Sequence, residues 1–299
     1  MDSLFYHEEL IEIILSNLSD KEKIFFVSCS KISYANRYLL KFDDYYPLNH
    51  ISIKKVIIDR TSYKNIPPHV THIIFSRNFN KQIEHILPPT LTHLIFLHCF
   101  NKSIDYCLPP CLTHLTFGYN FNQPIDHPLP SSLLYLTFGS NFDQPIEKCL
   151  PPSLIYLTFG FHFKHTVKNC LPPSLKRITF GSEFDYPINN CFPPSITHIT
   201  FGDEFNQEIK NSLPPYLTHL TLGWNFKKSI EDNLPHTLTH LTFSYKFKQP
   251  IINRSTLKKF LPPNLTNLVI SIKYKQEIEE FYPGIQTKYL KKLINIYYK

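Results

Sequence analysis

The sequence repeats with a period of 21 residues over most of its length. Successive repeats begin with Leu-Pro-Pro or a close variant, at Ile66, Leu87, Leu108, Leu129, Leu150, Leu171, Phe192, Leu213 and Leu234. The next such tripeptide starts at Leu261, 27 residues later, which indicates about six extra residues near 253–258. A fixed period between about 20 and 50 residues is typical of a solenoid, in which each repeat forms one coil.

Each repeat carries the apolar spacing LxxLxL, as in Leu112, Leu115 and Phe117. The alternation around Leu115 and Phe117 predicts a short strand, and the prolines fall outside it, where a missing N–H costs no sheet hydrogen bond. One coil buries too little apolar surface to fold alone, so we expect stacked coils that share a parallel sheet. Six of the seven glycines directly follow the strand, where we expect a turn with positive φ; they are Gly118, Gly139, Gly160, Gly181, Gly202 and Gly223.

The run LPPxLTHLTFGxxFNQPI resembles the FNIP repeat, a branch of the leucine-rich-repeat clan. FNQPI at Phe121–Ile125 and FDQPI at Phe142–Ile146 match it most fully, whereas Phe163 and Phe226 are followed by KHTV and KKSI. The resemblance extends from about residue 66 to 274. The Asn that leucine-rich repeats carry at their ninth position is missing from several coils, so we expect its ladder to be incomplete or shared with the column of Asn122.

Residues 5–40 do not follow the period and read as short helices. Leu10, Ile14, Leu15 and Leu18 share one helical face, and a capping box of Ser19 and Glu22 restarts a helix toward Ile24 and Phe25. This segment resembles an F-box, matching at Glu9-Leu10, Ile14-Leu15, Leu18-Ser19-Asp20 and Val27-Ser28, without the family's leading Leu-Pro or its late Trp. Together the two segments resemble the F-box and FNIP repeat-containing proteins, known from amoebae and the large viruses that infect them.

The predicted fold is therefore α+β by modules. We expect an F-box-like helical module at 1–47, a capping coil at 48–65 built on Ile53, Val56 and Ile58, a parallel β-solenoid of about ten 21-residue coils at 66–274, and a C-terminal cap at 275–299. The cap is expected to close with one more strand around 290–298.

Composition excludes several classes of protein. The net charge of +7 comes from scattered Lys and Arg without a block of like charge, so we expect no nucleic-acid partner. The first residues, MDSLFYHEEL, show no secretory pattern, and no window approaches the ~18 apolar residues of a membrane span. We therefore expect no membrane association, a cytoplasmic location that includes the host cytoplasm or nucleus, and reduced cysteines.

Two columns of residues are candidates for binding a target protein. The strand-face column precedes the second core apolar residue and should project from the concave face; its candidate members are His114, Tyr135, Tyr156, Arg177 and His198. The variable column lies two residues after the last strand apolar residue. It samples aromatic and charged types that often anchor interfaces, and its candidate members are Arg77, His98, Tyr119, Phe161, Asp203, Trp224 and Tyr245.

Other constellations favour packing over chemistry. The histidines of the strand-face column could share a zinc ion, but a straight row offers no tetrahedral closure, so a solvated ladder is the preferred interpretation. Cys107, Cys149, Cys170 and Cys191 form a column that we interpret as small apolar packing. The sequence contains no paired carboxylates, phosphate loop or nucleophile elbow, so we expect neither a cofactor nor an enzyme.

The resemblance implies a substrate-recognition subunit of a cullin–RING ubiquitin ligase. Its F-box would dock a Skp-family adaptor, and thereby the cullin complex, through Leu10, Ile14, Leu15, Leu18, Ile24 and Phe25, while the solenoid binds a target protein. The alternative is a binding scaffold or decoy that recruits no ligase. A metal-binding His ladder is a more remote alternative.

Overall fold

The computed structural model describes residues 55–58, 66, 68–244 and 246–290. These residues belong to two compact units, which divide between Leu134 and Tyr135. The F-box-like module predicted at 1–47 and its six adaptor-binding residues lie outside the described residues, as do most of the predicted capping coil at 48–65 and the last nine residues of the chain.

The first unit is a parallel β-solenoid with four short strands. They are β1 (Lys55–Ile58), β2 (His72–Phe75), β3 (His93–Phe96) and β4 (His114–Thr116). Each strand pairs in parallel with the next, so that His72 lies opposite His93 and His93 opposite His114. β1 pairs with β2 in the same way, which places a strand inside the segment predicted to form the first coil.

The second unit, described by itself, is also a parallel β-solenoid. Its strands are β5 (Tyr135–Thr137), β6 (Tyr156–Thr158), β7 (Arg177–Thr179), β8 (His198–Thr200), β9 (His219–Thr221), β10 (His240–Thr242), β11 (Ile252–Asn253), β12 (Lys258–Lys259), β13 (Asn267–Ser271) and β14 (Gln286–Leu290). β5 to β10, β13 and β14 pair in parallel in that order. Helix among the described residues is limited to a 3₁₀ turn (Ile272–Tyr274) and α1 (Lys275–Phe281).

A stacked pair of phenylalanines fills the core of almost every coil. Within one coil, the rings of Phe117 and Phe121 lie 3.8 Å apart, and those of Phe201 and Phe205 lie 3.7 Å apart. Between coils, Phe205 stacks on Phe226 at 6.2 Å. These rings are buried, as are the other members of the predicted LxxLxL and Phe columns in the described residues. The core assignment made from the repeat is therefore correct.

The loop amides are satisfied by a column of Asn and Asp side chains. Asn101 N–H donates to Asn80 Oδ1 at 3.0 Å, and Asn122 N–H donates to Asn101 Oδ1 at 3.0 Å. In the second unit, Asp185 Oδ1 accepts from Asn206 N–H at 2.8 Å. This is the column of Asn122, so the ladder lies there as the sequence suggested. The amides at the ninth position instead donate to backbone carbonyls, as Asn225 does to Asp203 at 2.7 Å, which explains why Asn is dispensable at that position.

The glycine column serves close packing, and the prediction of positive φ there is wrong. No described glycine has positive φ. Instead, a Cβ built on Gly181 would lie 1.6 Å from the carbonyl oxygen of Gly160, and one on Gly223 would lie 1.7 Å from that of Gly202. Glycine is required because the backbones of neighbouring coils touch at this position.

The positive φ falls at a corner just before the Pro pair. Seven corner residues have φ between 53° and 61°: His85, Tyr106, Lys148, Asn169, Asn190, Asn211 and Asp232. Several of them are Asn or Asp, which tolerate the left-handed region better than most residues.

The 27-residue spacing contains a hairpin made of β11 and β12, whose strands pair Ile252 with Lys259. Tyr282 secures it, since its hydroxyl accepts from Phe260 N–H at 3.1 Å and donates to Ile251 O at 2.7 Å. The closing strand begins at Gln286, earlier than the 290–298 predicted, and residues beyond 290 lie outside the described part.

We predict that Gly181→Ala destabilises the solenoid by about 1–3 kcal/mol or more, because its new methyl group must push two backbones apart. Urea unfolding measures the change. Gly284→Ala is the matched control, since its Cβ would meet no atom within 4 Å and should cost less than about 0.5 kcal/mol. Equal costs for the two substitutions would contradict the close-packing role.

Candidate functional site

The strand-face column forms a continuous row on the second unit. Parallel pairing places Tyr135 beside Tyr156, then Arg177, His198, His219 and His240 in successive coils, and Asn267 follows. Leu and Ile at the following position face the core, as Leu220 does at 1% exposure. The alternation of a strand therefore leaves this row on the outer side of the sheet.

The histidines in this row stack face to face. Ring centroids are 4.0 Å apart between His198 and His219 and between His219 and His240, with the ring planes 14° and 10° apart. His72, His93 and His114 of the first unit stack in the same way at 4.0 Å. Both rows result from the register, which places identical residues opposite one another.

A threonine before each histidine fixes its tautomer. Thr218 Oγ1 donates to the carbonyl of Thr197 at 3.1 Å, so its single proton is already used. The same oxygen lies 2.9 Å from Nδ1 of His219, and it can only accept there. Nδ1 of His219 therefore carries the proton, and its Nε2 is an unprotonated acceptor. Thr239 and His240 repeat this arrangement.

Asn267 supports the same assignment. Its Nδ2 donates to Nε2 of His240 at 2.9 Å, which requires that nitrogen to be an acceptor. The histidines of this row therefore present unprotonated Nε2 atoms that accept hydrogen bonds. The Nδ2 amide of Asn267 already donates to the last of them, in His240. A group that binds Nε2 of His198 or His219 must therefore donate a hydrogen bond.

Burial lowers the pKa of three of these imidazoles, His198, His219 and His114, and so favours their neutral form. Burial lowers the pKa of His198 to about 4, and the positive charges of His219, Arg177 and His240 act in the same direction. Burial, followed by His240 and Arg177, lowers the pKa of His219, and burial lowers that of His114.

The other end of the row is aromatic and cationic. The rings of Tyr135 and Tyr156 stack at 4.7 Å, and the Arg177 guanidinium carbon lies 5.6 Å from the centre of the Tyr156 ring. Tyr135 is 37% exposed. This end offers flat rings and a positive charge, whereas the histidine end offers neutral acceptors.

The variable column is exposed at every predicted member that the structure describes, from Arg77 to Trp224; Tyr245 lies outside the described residues. Its backbone is held between coils, because carbonyls such as that of Asp203 accept a hydrogen bond from the next coil. The side chains can therefore change without disturbing the stack. In the first unit, His98 and Tyr119 stack at 4.9 Å.

Lys246 is a member of this surface that sequence reasoning missed. Its Nζ lies 4.6 Å from the centre of the Trp224 ring, in a cation–π contact. The two residues are 22 positions apart, one more than the repeat, so no column predicted the contact.

The metal alternative finds no support in the geometry. Lone pairs of parallel rings 4.0 Å apart do not converge on one ion, as zinc requires at about 2.0–2.1 Å from each nitrogen. Among the described residues, no group of three or more His, Cys, Asp or Glu is placed to hold a metal.

The cysteine column packs inside. Cys107, Cys149 and Cys191 are buried and Cys170 is half-buried, all as free thiols. Burial raises the pKa of the Cys149 thiol to about 12, so it remains protonated. In the described part of the chain, no helix is both long and apolar enough to cross a membrane.

Comparison with protein families identifies the repeat. The model of the FNIP repeat matches residues 63–98, 100–141, 127–162, 163–204, 187–223 and 205–246, which together include more than half of the chain. Among curated proteins, no sequence matches significantly.

Solved structures with similarity include CroV588, described as a novel circular LRR protein. It is 46% identical over 69% of this chain, with a TM-score of 0.63, and the matched part spans 31% of CroV588. YopM from Yersinia enterocolitica WA-314 is 25% identical over 70% of this chain and 43% of its own, with a TM-score of 0.48.

We predict that the histidine row makes stability fall in acid. The folded pKa of His198 is about 4, below the ~6.5 of a free imidazole, so the unfolded chain binds more protons between these values. Stability is then full above pH ~6.5 and declines as the pH falls toward 4. Melting temperature from pH 7.5 to 4.5 measures this.

The control is the double variant His198→Asn/His219→Asn, since Asn267 shows that this column accepts Asn. Its melting temperature should fall less over the same range. Parallel pH curves for the two proteins would contradict the prediction.

Proposed function

The chain belongs to the FNIP repeat family, and on that premise we propose that it is a protein-binding scaffold whose exposed strand-face and variable columns hold a target protein. The observation that carries this proposal is the contrast between a repetitive core and a varied surface. Phe226 is 1% exposed and belongs to a column of identical rings, while Trp224, two residues before it, is 39% exposed.

The chemistry of the two columns favours a protein target over a small ligand. Stacked rings at Tyr135 and Tyr156, the guanidinium of Arg177 and the indole of Trp224 are side-chain types that anchor protein interfaces. The neutral Nε2 atoms beside them accept hydrogen bonds, which suits amide or hydroxyl donors on a partner. The columns cross successive coils, so a partner can contact many repeats at once.

Trp224 tests the proposal against packing. We predict that Trp224→Ala weakens target binding at least about tenfold with little loss of stability, because the indole is partly exposed. Phe226→Ala should instead destabilise its coil by about 3–5 kcal/mol. A pull-down from amoebal lysate, followed by titration of the captured partner, measures binding. Trp224 is the only Trp in the chain, so its fluorescence reports contact directly.

Two results would contradict the binding role. If Trp224→Ala destabilises the solenoid as much as Phe226→Ala does, Trp224 belongs to the core. A captured partner that binds Trp224→Ala as tightly as the wild type would remove the variable column from the interface.

We further propose that the scaffold is the substrate-recognition subunit of a cullin–RING ubiquitin ligase that acts in the cytoplasm. The pattern from Glu9 to Ser28, which resembles an F-box, favours this more specific role. In this proposal a Skp-family adaptor binds the segment before the solenoid, and the ligase supplies the chemistry. The rival is a scaffold or decoy that holds the same target and recruits no ligase.

Adaptor capture separates these two roles. We predict that Leu15→Asp/Leu18→Asp abolishes adaptor binding, since both leucines fall on the apolar face predicted for this segment, while the solenoid keeps its melting temperature. Purified adaptor titrated against the full chain measures this. A wild-type chain that binds no adaptor at micromolar concentration would leave the scaffold or decoy as the function.

A further inference from the structure

The corners of the solenoid close by a common hydrogen bond. After most of the left-handed corner residues, the next backbone N–H donates to a carbonyl three residues earlier. Cys107 N–H donates to Ile104 O at 3.0 Å, and Ser212 N–H donates to Ile209 O at 3.1 Å. This bond needs an N–H at the corner and a residue before it that can adopt positive φ.

One corner cannot close in this way. Pro128 occupies the position of Cys107 and Ser212, and proline has no N–H to donate. Proline also restricts the conformation of the residue before it, and His127 is not among the residues with positive φ. The corner stays open, and a cleft of about 310 Å³ lies there, lined by Ile104, Ile125, Leu129 and Pro128 among others.

Three polar side chains converge at this cleft. The Tyr106 hydroxyl is hydrogen-bonded to Nε2 of His127. On the other side of the imidazole, Nδ1 lies 3.4 Å from Oδ1 of Asp105; both atoms are buried, and neither has a hydrogen bond in this geometry. Ser103 holds the second carboxylate oxygen of Asp105 at 2.7 Å. The order is carboxylate, imidazole, hydroxyl.

We propose that Tyr106 is an acyl-acceptor site, whose hydroxyl takes an acyl group from an activated ester bound in the cleft. A nucleophile within reach of a base, with that base oriented by a third group, is the arrangement that activates a hydroxyl. Here His127 is the base and Asp105 is a positioning residue. Tyr106 is 82% exposed, so a donor can reach it.

The acyl transfer to Tyr106 needs no reagent besides the ester. The Tyr106 oxygen attacks the carbonyl carbon of the ester while its proton moves to Nε2 of His127. The bond between the carbonyl carbon and the leaving oxygen then breaks, and that oxygen departs with the electron pair. The Asp105 carboxylate stabilises the imidazolium that forms. The distance between Asp105 Oδ1 and His127 Nδ1 can shorten as this charge develops.

The lining selects an apolar acyl donor. Prolines and aliphatic side chains form the walls, and the Asp105 carboxylate disfavours an anionic phosphoryl donor by repulsion. The nearby Cys107 thiol does not compete, because burial, followed by the charges of Glu84 and Asp105, raises its pKa.

The test uses p-nitrophenyl butyrate on the full chain, with p-nitrophenolate release followed by absorbance and the butyryl group located by peptide mass spectrometry. Tyr216 is the internal control, since it is 64% exposed and has no imidazole partner among the described residues. We expect Tyr106 to be labelled at least about tenfold faster than Tyr216. His127→Gln should remove most of this advantage, and Tyr106→Phe should remove the label with the melting temperature unchanged.

Asp105→Asn separates positioning from a structural role. Asp105→Asn should slow labelling, because the imidazolium loses the neighbouring negative charge, whereas Asp105→Glu keeps that charge and should restore part of the rate.

Pro128→Ser guards against misfolding, since Ser212 and His85 show that this corner accepts both residue types in the closed form. This variant should fold at least as stably and lose the fast labelling. Equal labelling of Tyr106 and Tyr216, or a Tyr106 rate unchanged by His127→Gln and Pro128→Ser, would overturn the proposal.

Discussion

The structure depends on the contact between neighbouring coils at the glycine column. There the carbonyl of one coil reaches within 1.4–1.9 Å of the place where a side chain of the next would begin. This approach sets a parallel register in which a residue of one regular coil faces the residue 21 positions later, for example Leu220 against Leu241. Identical residues then stack, so the core becomes a ladder of phenylalanines and the strand face becomes a ladder of histidines.

Because the coils stack in register, all members of one column have the same surroundings. A residue that differs from the others in its column therefore changes the surface at that one coil. In the strand-face column of the second unit, Tyr135, Tyr156 and Arg177 stand in place of histidine and form an aromatic, cationic end. At the corner, Pro128 removes one hydrogen bond and leaves a cleft beside Asp105 and His127. Both features arise without any change in the core, because Leu, Ile and Phe continue through the same coils. The surface can therefore acquire binding chemistry at little cost in stability.

The repeat made most of this fold predictable, since the spacing of Leu115 and Phe117 indicates a strand and its buried face. The glycine column was misread because the sequence does not distinguish a turn from a close contact between coils. The left-handed corner could have been predicted from its asparagines, because Asn favours that region; they are Asn169, Asn190 and Asn211. The tautomer of His219 could not be predicted, because it depends on where the Thr218 proton goes in three dimensions. Likewise, Lys246 and Trp224 belong to different columns. The repeat relates only residues of the same column, so it could not predict this contact.

Photo-crosslinking from matched positions tests most directly whether the strand face is the binding surface. Tyr135 on the strand face is 37% exposed, and Tyr186 in the loop after Phe184 is 40% exposed, so the two offer similar access. Replacing each with p-benzoylphenylalanine and irradiating the chain in the lysate used for the pull-down compares the two surfaces in one fold. If the strand face holds the target, position 135 yields a discrete crosslinked protein and position 186 yields none. The same crosslinked protein from both positions, or one from position 186 alone, would contradict this role of the strand face.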